Sequence, residues 1–133
     1  MGHRVVLVED WPDTRESLRQ LLEMLGHQVR VAANGPEGLM QVLEWQPDVA
    51  ILDIGLPGLD GYQLALHIRA LLGDKIFLIA LTAYATLEDQ HRSYKAGFDA
   101  HLAKPTDLDG LFRLLARSAV RHCRGETAQT NRE

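Results

Sequence analysis

The sequence predicts an α/β protein, a three-layer doubly wound sandwich around a parallel sheet. Apolar, strand-like runs alternate five times with helix-like segments along the 133 residues. Four of these runs are almost continuously apolar, which is typical of strands that are buried on both faces of a parallel sheet. Because each pair of successive strands is joined by one helix, right-handed crossovers place helices on both faces of the sheet.

The predicted strands differ in polarity. The first covers Arg4–Val8, and the second covers Gln28–Ala32, which is more polar and suits a sheet edge. The third strand ends at Asp53, the fourth ends at Thr82, and the fifth covers Ala100–Ala103. We therefore expect five strands whose carboxyl ends lie at one edge of the sheet.

Helix signals follow each strand. The predicted helices cover Thr14–Leu25, Pro36–Trp45, Tyr62–Leu72 and Leu87–Ala96, and a fifth carries Leu108, Leu111, Phe112 and Leu115. Asp13 and Glu16 form a capping-box pattern at the first helix, and Gly26 is a stop signal. Thr106 and Asp109 repeat the capping-box pattern at the fifth helix. The fourth helix carries few large apolar side chains.

Composition sets limits on function. The length predicts one domain over residues 1–123, followed by a polar, disordered tail over residues 124–133. A net charge of −4 gives no support to direct nucleic-acid binding, and the single cysteine, Cys123, excludes an intrachain disulfide. No apolar run approaches the length of about 20 residues that spans a membrane, and no signal-peptide core is present, so we expect a cytoplasmic protein.

Polar residues follow four of the predicted strands, at the point where each strand ends. They are Glu9, Asp10, Asp53, Thr82 and Lys104. The carboxyl ends of parallel strands form the ligand crevice in open α/β sheets, so we expect these side chains to converge. Three carboxylates, a hydroxyl and an ammonium in one crevice suit a divalent cation and a phosphoryl group.

The chemistry of these residues leaves two roles open for Asp53. Mg²⁺ usually binds one or two carboxylates together with further oxygen ligands. The Gly55 carbonyl, two residues after Asp53, could supply one of these further oxygens. Mn²⁺ is an alternative ion at the same site. Asp53 is either a ligand only or a nucleophile that forms an aspartyl phosphate. Lys104 would offset charge on the phosphoryl oxygens, and Thr82 would donate a hydrogen bond to one of them.

The order of these motifs resembles the receiver domain of two-component response regulators. The similarity covers about residues 4–120 and consists of Glu9-Asp10, Asp53, the loop 56–61 with sequence LPGLDG, Thr82-Ala83 and Lys104-Pro105. It implies a flavodoxin-like sheet in the order 2-1-3-4-5. Five separated elements that match in order and spacing make the resemblance specific.

The resemblance also implies roles for single residues. Asp53 would accept a phosphoryl group from a phosphohistidine, and Thr82 and Lys104 would bind its oxygens. The metal would be held by Glu9, Asp10, Asp53 and the Gly55 carbonyl. His101, three residues before the lysine, stands at the switch position with Thr82, and it would turn inward when Thr82 moves.

The implied function is that of a signalling switch with weak self-catalysed phosphotransfer and dephosphorylation, rather than of a metabolic enzyme. The expected partners are a histidine kinase or histidine phosphotransfer protein as donor, and a downstream protein on the face of the fourth helix, fifth strand and fifth helix. A phosphorylation-dependent homodimer is a further option. The chain is either a stand-alone regulator or a receiver from a hybrid histidine kinase.

Other classes fit the residues less well. An aspartate-nucleophile phosphatase of the haloacid dehalogenase type needs a second aspartate two residues after the nucleophile, where this chain has Gly55. A flavodoxin-like or Rossmann cofactor binder needs a phosphate loop after the first strand, where the acidic pair would repel a phosphate. A docking module that works without phosphorylation remains an alternative, although all five site residues are present.

Overall fold

The computed structural model describes residues 2–83, 86–104, 106 and 108–117. Five parallel strands form one sheet in the order β2-β1-β3-β4-β5, which confirms the predicted fold class. The strands are β1 Arg4–Val8, β2 Gln28–Ala32, β3 Val49–Asp53, β4 Phe77–Thr82 and β5 Ala100–Ala103. The helices are α1 Pro12–Met24, α2 Gly35–Trp45, α3 Gly61–Leu72, α4 Leu87–Ala96 and α5 over residues 108–117.

Two apolar cores lie on the two faces of the sheet. Successive side chains of a strand point to opposite faces, so Val5 and Leu7 of β1 join one core while Val6 and Val8 join the other. The first core also contains Leu18 and Leu22 of α1 and Leu111 and Leu115 of α5. The second contains residues of α2, α3 and α4, including Val42, Leu64, Ile68 and Ala96. Both faces of the central strands are buried, which explains why these strands are continuously apolar.

The start of α1 differs from the prediction. The helix begins at Pro12, after Trp11, whose side chain makes no capping hydrogen bond. The predicted capping box of Asp13 and Glu16 is therefore wrong at this helix. Proline favours the first helical position because its fixed φ suits the helix and its missing N–H costs no intrahelical bond. The helix ends at Met24, and Gly26 follows at a φ of 93°.

The start of α3 is set by a close approach to β3. Asp60 and Gln63 form a capping box in which each side chain bonds the backbone N–H of the other residue. The helix begins at Gly61, one residue before the predicted start, and a Cβ at Gly61 would lie 2.6 Å from the carbonyl oxygen of Asp53. Only glycine permits this approach, which holds the β3–α3 loop against the end of β3.

The fourth helix has the predicted bounds and little apolar packing. Thr86 caps it, and Gly97 ends it in the left-handed conformation at a φ of 107°. Its large apolar side chains, Leu87 and Tyr94, are 84% and 75% exposed. The residues that α4 buries, Ser93 and Ala96, are small.

Several predictions fall on residues that the structure does not describe. These residues are Met1, Tyr84, Ala85, Pro105, Asp107 and 118–133. The predicted end of the domain at residue 123 and the tail over residues 124–133 therefore lie outside the described residues, and the capping pattern at α5 stays a prediction. Among the helices of the described ranges, none is both long enough and apolar enough to span a membrane.

Candidate functional site

An acidic cluster lies at the carboxyl edge of the sheet. Glu9 and Asp10 follow β1, and Asp53 ends the neighbouring strand β3. One carboxylate oxygen from each residue lies within 4.8 Å of the others. Glu9 and Asp53 are buried, whereas Asp10 is exposed at the start of the β1–α1 loop. The sheet order therefore brings together three acids that are far apart in the sequence.

Asp53 receives hydrogen bonds at both carboxylate oxygens. The backbone N–H of Gly55 donates to Oδ1 at 2.9 Å, and the Lys104 ammonium donates to Oδ2 at 3.2 Å. The residue is 5% exposed. These two donors fix the carboxylate at the centre of the cluster, between the β3–α3 loop and the end of β5.

Glu9 is fully buried and is held from three directions. Its backbone N–H donates to the carbonyl of Ala32 at 3.0 Å. The backbone N–H of Trp11 donates to Oε2 at 3.0 Å, and Lys104 Nζ lies 2.9 Å from Oε1. The ammonium of Lys104 therefore contacts Glu9 and Asp53 together.

The charges of this cluster are not balanced. Burial and the nearby Asp53 carboxyl raise the pKa of Glu9 to about 7. Burial would also raise the pKa of Asp53, but hydrogen bonds from Glu9 and Gly55 and the charge of Lys104 together hold it below its usual value. Burial opposes the charge on Lys104, but the two carboxylates raise its pKa. One ammonium thus faces three acids, and Glu9 takes up a proton at a higher pH than an ordinary glutamate does.

The donor set fits a hard divalent cation. Mg²⁺ prefers oxygen ligands and usually takes one or two carboxylates together with other oxygens. The cluster offers three carboxylates within 4.8 Å, one of them exposed. A second positive centre would favour the ionised form of Glu9, which burial and the nearby Asp53 carboxyl disfavour. The backbone of Gly55 contacts Asp53 through its N–H, and a ligand role for its carbonyl stays a prediction.

Thr82 and Lys104 stand beside this cluster on paired strands. Thr82 ends β4, is 2% exposed and pairs in register with Ala103 of β5. The backbone N–H of Lys104 donates to the Thr82 carbonyl at 2.9 Å. This bond fixes the backbone from which the Lys104 side chain, 28% exposed, reaches the two carboxylates. Thr82 and Lys104 thus lie at the carboxyl ends of two adjacent strands.

His101 lies on β5, away from the acids. It pairs in register with Ala80 and is half-buried, and its ring lines one cavity together with Gln90 of α4. Burial lowers the pKa of the His101 ring, and the nearby backbone of Gln90 offsets only part of the effect. Its Nε2 is buried and has no hydrogen-bond partner among the described residues. The predicted switch residue therefore links β5 to α4.

Sequence reasoning did not find Arg15. Its Nη1 donates to the backbone carbonyl of Glu9 at 2.9 Å, so α1 is tied to the end of β1. The one sequence feature that could have indicated this contact is the position of Arg15, four residues or about one helical turn after Trp11. Side chains on a helix point toward its N-terminus, so the Arg15 side chain lies near the start of α1. A single arginine on an exposed helix carries too little local information to indicate this contact.

A family comparison agrees with this architecture. Residues 5–116 match the family described as the response regulator receiver domain. This range covers β2 to β5, all of β1 except Arg4, and most of the described chain. The chain belongs to the response regulator receiver domain family, and it is a receiver domain of the two-component type.

Relatives of different lengths match the chain. An uncharacterized 14.6 kDa protein in the sodA1 3′ region of Leptolyngbya boryana is 39% identical over 112 residues, which are 84% of this chain and 86% of that protein. The response regulator MprA of Mycobacterium tuberculosis is 33% identical over 128 residues, which are 96% of this chain and 55% of MprA. The chain therefore spans most of one relative and about half of the other.

One similar receiver domain has been solved with a magnesium ion bound. The receiver domain of the sensor histidine kinase PA1611 from Pseudomonas aeruginosa has a TM-score of 0.80 and 35% sequence identity, over 88% of this chain and 97% of that one. A magnesium ion is coordinated in its active-site cleft. The fold therefore occurs in a receiver with a bound magnesium ion.

Proposed function

We propose that the chain accepts a phosphoryl group from a phosphohistidine onto Asp53 in a Mg²⁺-dependent reaction. The supporting observation is the position of Asp53, whose carboxylate accepts hydrogen bonds from the Gly55 N–H and the Lys104 ammonium beside the carboxylates of Glu9 and Asp10. A nucleophilic carboxylate must be ionised, and the pKa of Asp53 is held below its usual value. Glu9 is fully buried, and burial together with the Asp53 carboxyl raises its pKa to about 7.

The proposed transfer is a nucleophilic displacement at phosphorus. A carboxylate oxygen of Asp53 forms a bond to phosphorus as the P–N bond of the donor breaks, and the imidazole leaves with that electron pair. Lys104 Nζ, 3.2 Å from Asp53 Oδ2, is placed to offset the charge on the phosphoryl oxygens. The Thr82 hydroxyl would bond another of these oxygens.

Four groups would hold the metal: the carboxylates of Glu9, Asp10 and Asp53, and the Gly55 carbonyl. When bound, Mg²⁺, or Mn²⁺ in its place, supplies positive charge that offsets the repulsion between the phosphoryl group and the carboxylates. The proximity of the three carboxylates supports this assignment. The same site would support weak self-catalysed dephosphorylation, in which water displaces the Asp53 oxygen from phosphorus.

The phosphoacceptor is tested with a small-molecule donor. Incubation with phosphoramidate and Mg²⁺ should add one phosphate to the protein, as measured by intact mass. Asp53→Asn should abolish the addition, whereas Asp74→Asn, at an exposed residue of the turn after α3, should label like the original protein. Labelling of the Asp53→Asn variant to the same extent would reject Asp53 as the acceptor.

The proposed output surface is the α4–β5–α5 face. An open cavity of about 580 Å³ lies there, and its lining includes Leu87, Tyr94, His101 and Arg117. Phosphorylation would draw the Thr82 hydroxyl toward Asp53 and leave space that the His101 ring can fill. Because His101 lines this cavity together with residues of α4, its movement would alter this face.

The partners follow from these surfaces. The donor would be a histidine kinase or histidine phosphotransfer protein, and a downstream protein would contact the α4–β5–α5 face. A homodimer through the same face is favoured by charge, because α4 begins with Glu88 and Asp89 while α5 carries Arg113 and Arg117. Light scattering with and without the phosphoryl mimic beryllofluoride tests the dimer, since an unchanged monomer mass would contradict it.

Two alternatives make different predictions. A hydrolase of external phosphate esters would turn over many substrate molecules, whereas a receiver takes up one phosphoryl group. A docking module that works without phosphorylation would bind its partner equally well as the Asp53→Asn variant. Repeated turnover of an external substrate would favour the hydrolase over the proposed phosphoacceptor. Equal partner binding by the Asp53→Asn variant and the original protein would favour the docking module.

A further inference from the structure

The packing of α4 against the rest of the protein is weak. Its buried residues are Ser93 and Ala96, and the Ser93 hydroxyl is buried without a hydrogen-bond partner among the described residues. Its large apolar side chains, Leu87 and Tyr94, face solvent. Buried apolar area therefore contributes little to holding this helix, and other contacts must set its position.

One such contact joins the middle of α4 to the start of α3. The guanidinium carbon of Arg92 lies 4.1 Å from the centroid of the Tyr62 ring, which is the geometry of a cation–π contact. Tyr62 is 8% exposed, and its ring packs edge-to-face against Phe98 with centroids 6.4 Å apart. Arg92 is thus stacked on an aromatic ring that belongs to the core.

A second contact holds the carboxyl end of α4. Arg69 of α3 donates from Nε to the carbonyl of Gly97 at 2.9 Å and pairs with Asp99 at 2.7 Å. Gly97 is the residue at which α4 ends. With this end tied to α3, the Arg92–Tyr62 contact is placed to control the remainder of the helix.

Tyr62 is also connected to the acidic site. It follows Gly61, whose backbone is pressed so closely against the end of β3 that a Cβ would lie 2.6 Å from the Asp53 carbonyl oxygen. The loop between Asp53 and Gly61 contains Gly55, which bonds the Asp53 carboxylate. A rearrangement of this loop around Asp53 would therefore shift the first turn of α3 and the Tyr62 ring.

We propose that the Arg92–Tyr62 contact is an autoinhibitory contact that holds α4 in its unphosphorylated position. The β3–α3 loop then gives Asp53 a second connection to α4, separate from that through Thr82 and His101. The signalling consequence rests on the proposed function, whereas the restraint on α4 is a property of the unphosphorylated protein alone. The two parts can therefore be tested separately.

Amide exchange without any phosphoryl group tests the restraint. Arg92→Gln should accelerate exchange over residues 87–96 by about threefold to fivefold, the range that an exposed cation–π contact supports. Arg92→Lys should retain part of the protection. Lys95→Gln removes the same charge from an exposed position in the last turn of the same helix, so it controls for the loss of charge and should accelerate exchange less than Arg92→Gln does. Equal exchange in Arg92→Gln and Lys95→Gln would overturn the proposal.

A double-mutant cycle identifies the partner of Arg92. Tyr62→Leu should accelerate exchange over α4 by itself, and adding Arg92→Gln to it should produce no further acceleration. Tyr62→Phe keeps the ring, and it should therefore preserve the response to Arg92→Gln and control for a general loss of core packing. Fully additive effects in the Leu background would overturn the assignment of Tyr62.

Beryllofluoride affinity in the presence of Mg²⁺ tests the consequence for switching. If the contact favours the unphosphorylated position, then its loss should raise affinity for the mimic by the same factor of about threefold to fivefold, by thermodynamic linkage. Unchanged affinity in Arg92→Gln, with exchange accelerated, would overturn the inhibitory role. If the original protein failed to bind the mimic, the proposed phosphoacceptor function would be contradicted, while the exchange result would still decide the restraint.

Discussion

The ammonium of Lys104 lies 2.9 Å from Glu9 Oε1 and 3.2 Å from Asp53 Oδ2, so one cation bridges acids from two other strand ends. Glu9 is fully buried, and Asp53 nearly so. Removing one partner from such a group leaves charge that solvent cannot compensate. This bridge thus holds the site together in the absence of metal, and a bound cation would compete with Lys104 for the same carboxylates.

Replacement of Lys104 should show how far the site depends on this bridge when no metal is bound. We expect Lys104→Ala to lower the free energy of unfolding by about 2 kcal/mol in metal-free buffer, less than for a fully buried pair because the side chain is partly exposed. Mg²⁺ should then stabilise the variant more than the original protein, because the metal replaces the missing charge. Urea unfolding with and without Mg²⁺ measures both effects.

The control for this experiment is Lys75→Ala, at an exposed residue of the turn after α3. It removes the same charge away from the acids and should change neither the stability nor the response to Mg²⁺. An identical response to Mg²⁺ in Lys104→Ala and the original protein would contradict the view that the lysine and the metal serve the same carboxylates.

Two glycines in the β3–α3 loop should respond differently to alanine. A Cβ at Gly61 would lie 2.6 Å from backbone atoms of Asp53 and Ile54, whereas a Cβ at Gly55 would meet Asp53 Oδ1 at an ordinary 3.5 Å. Gly61→Ala should therefore cost about 2 kcal/mol of folding free energy, as overpacking does. Gly55→Ala should be nearly neutral. Thermal unfolding compares the two, and equal losses would show that the close approach at Gly61 is unimportant.

A histidine pair at the opposite edge of the sheet should make stability depend on pH. The backbone N–H of His3 donates to Nδ1 of His27 at 2.9 Å, and the two rings stack 5.3 Å apart. Burial and the neighbouring His3 lower the pKa of His27 below 6.5. The unfolded chain therefore binds a proton at a higher pH than the native protein does, so this contribution is complete above pH 6.5 and is lost as the pH falls below it.

Urea unfolding between about pH 5 and pH 7.5 measures this dependence, because the ordinary histidine pKa of about 6.5 lies within that interval. The raised pKa of Glu9 acts in the opposite direction, because it makes the protein more stable as the pH falls, so the histidine contribution is measured as a difference between variants. Over this interval, His27→Gln should lose less stability, or gain more, than the original protein as the pH falls. His67→Gln, at an exposed position of α3, is the matched control and should retain the slope of the original protein. An unchanged slope in His27→Gln would show that other groups cause the acid sensitivity.

Local patterns predicted the strands because burial on both faces leaves continuous apolar runs, and β1, β2 and β5 have the predicted bounds. The residues at the acidic edge could be chosen because parallel strands end together. The helix starts were harder, since Pro12 outweighed the capping pattern at α1 and the start of α3 depends on the approach of Gly61 to β3.

Contacts between distant segments had no local signal. The Arg92–Tyr62 contact joins two helices, and the His3–His27 pair joins the segments that precede two strands. Each depends on the position of elements in the folded protein rather than on a residue pattern within either segment. For the same reason, the sequence indicated that α4 packs weakly but did not indicate which contacts hold it.

Thr82 offers a test of the proposed switch that separates phosphorylation from its consequence. Asp53 keeps its bonds from Gly55 and Lys104 when the Thr82 hydroxyl is removed, so Thr82→Ala should still take up one phosphate. It should lose most of the change in amide exchange over residues 86–104 on addition of beryllofluoride, because the hydroxyl that is proposed to bond the phosphoryl oxygen is absent. Thr82→Ser keeps the hydroxyl and should respond like the original protein. A full response in Thr82→Ala, or a change confined to the loops around Asp53 in the original protein, would contradict this mechanism.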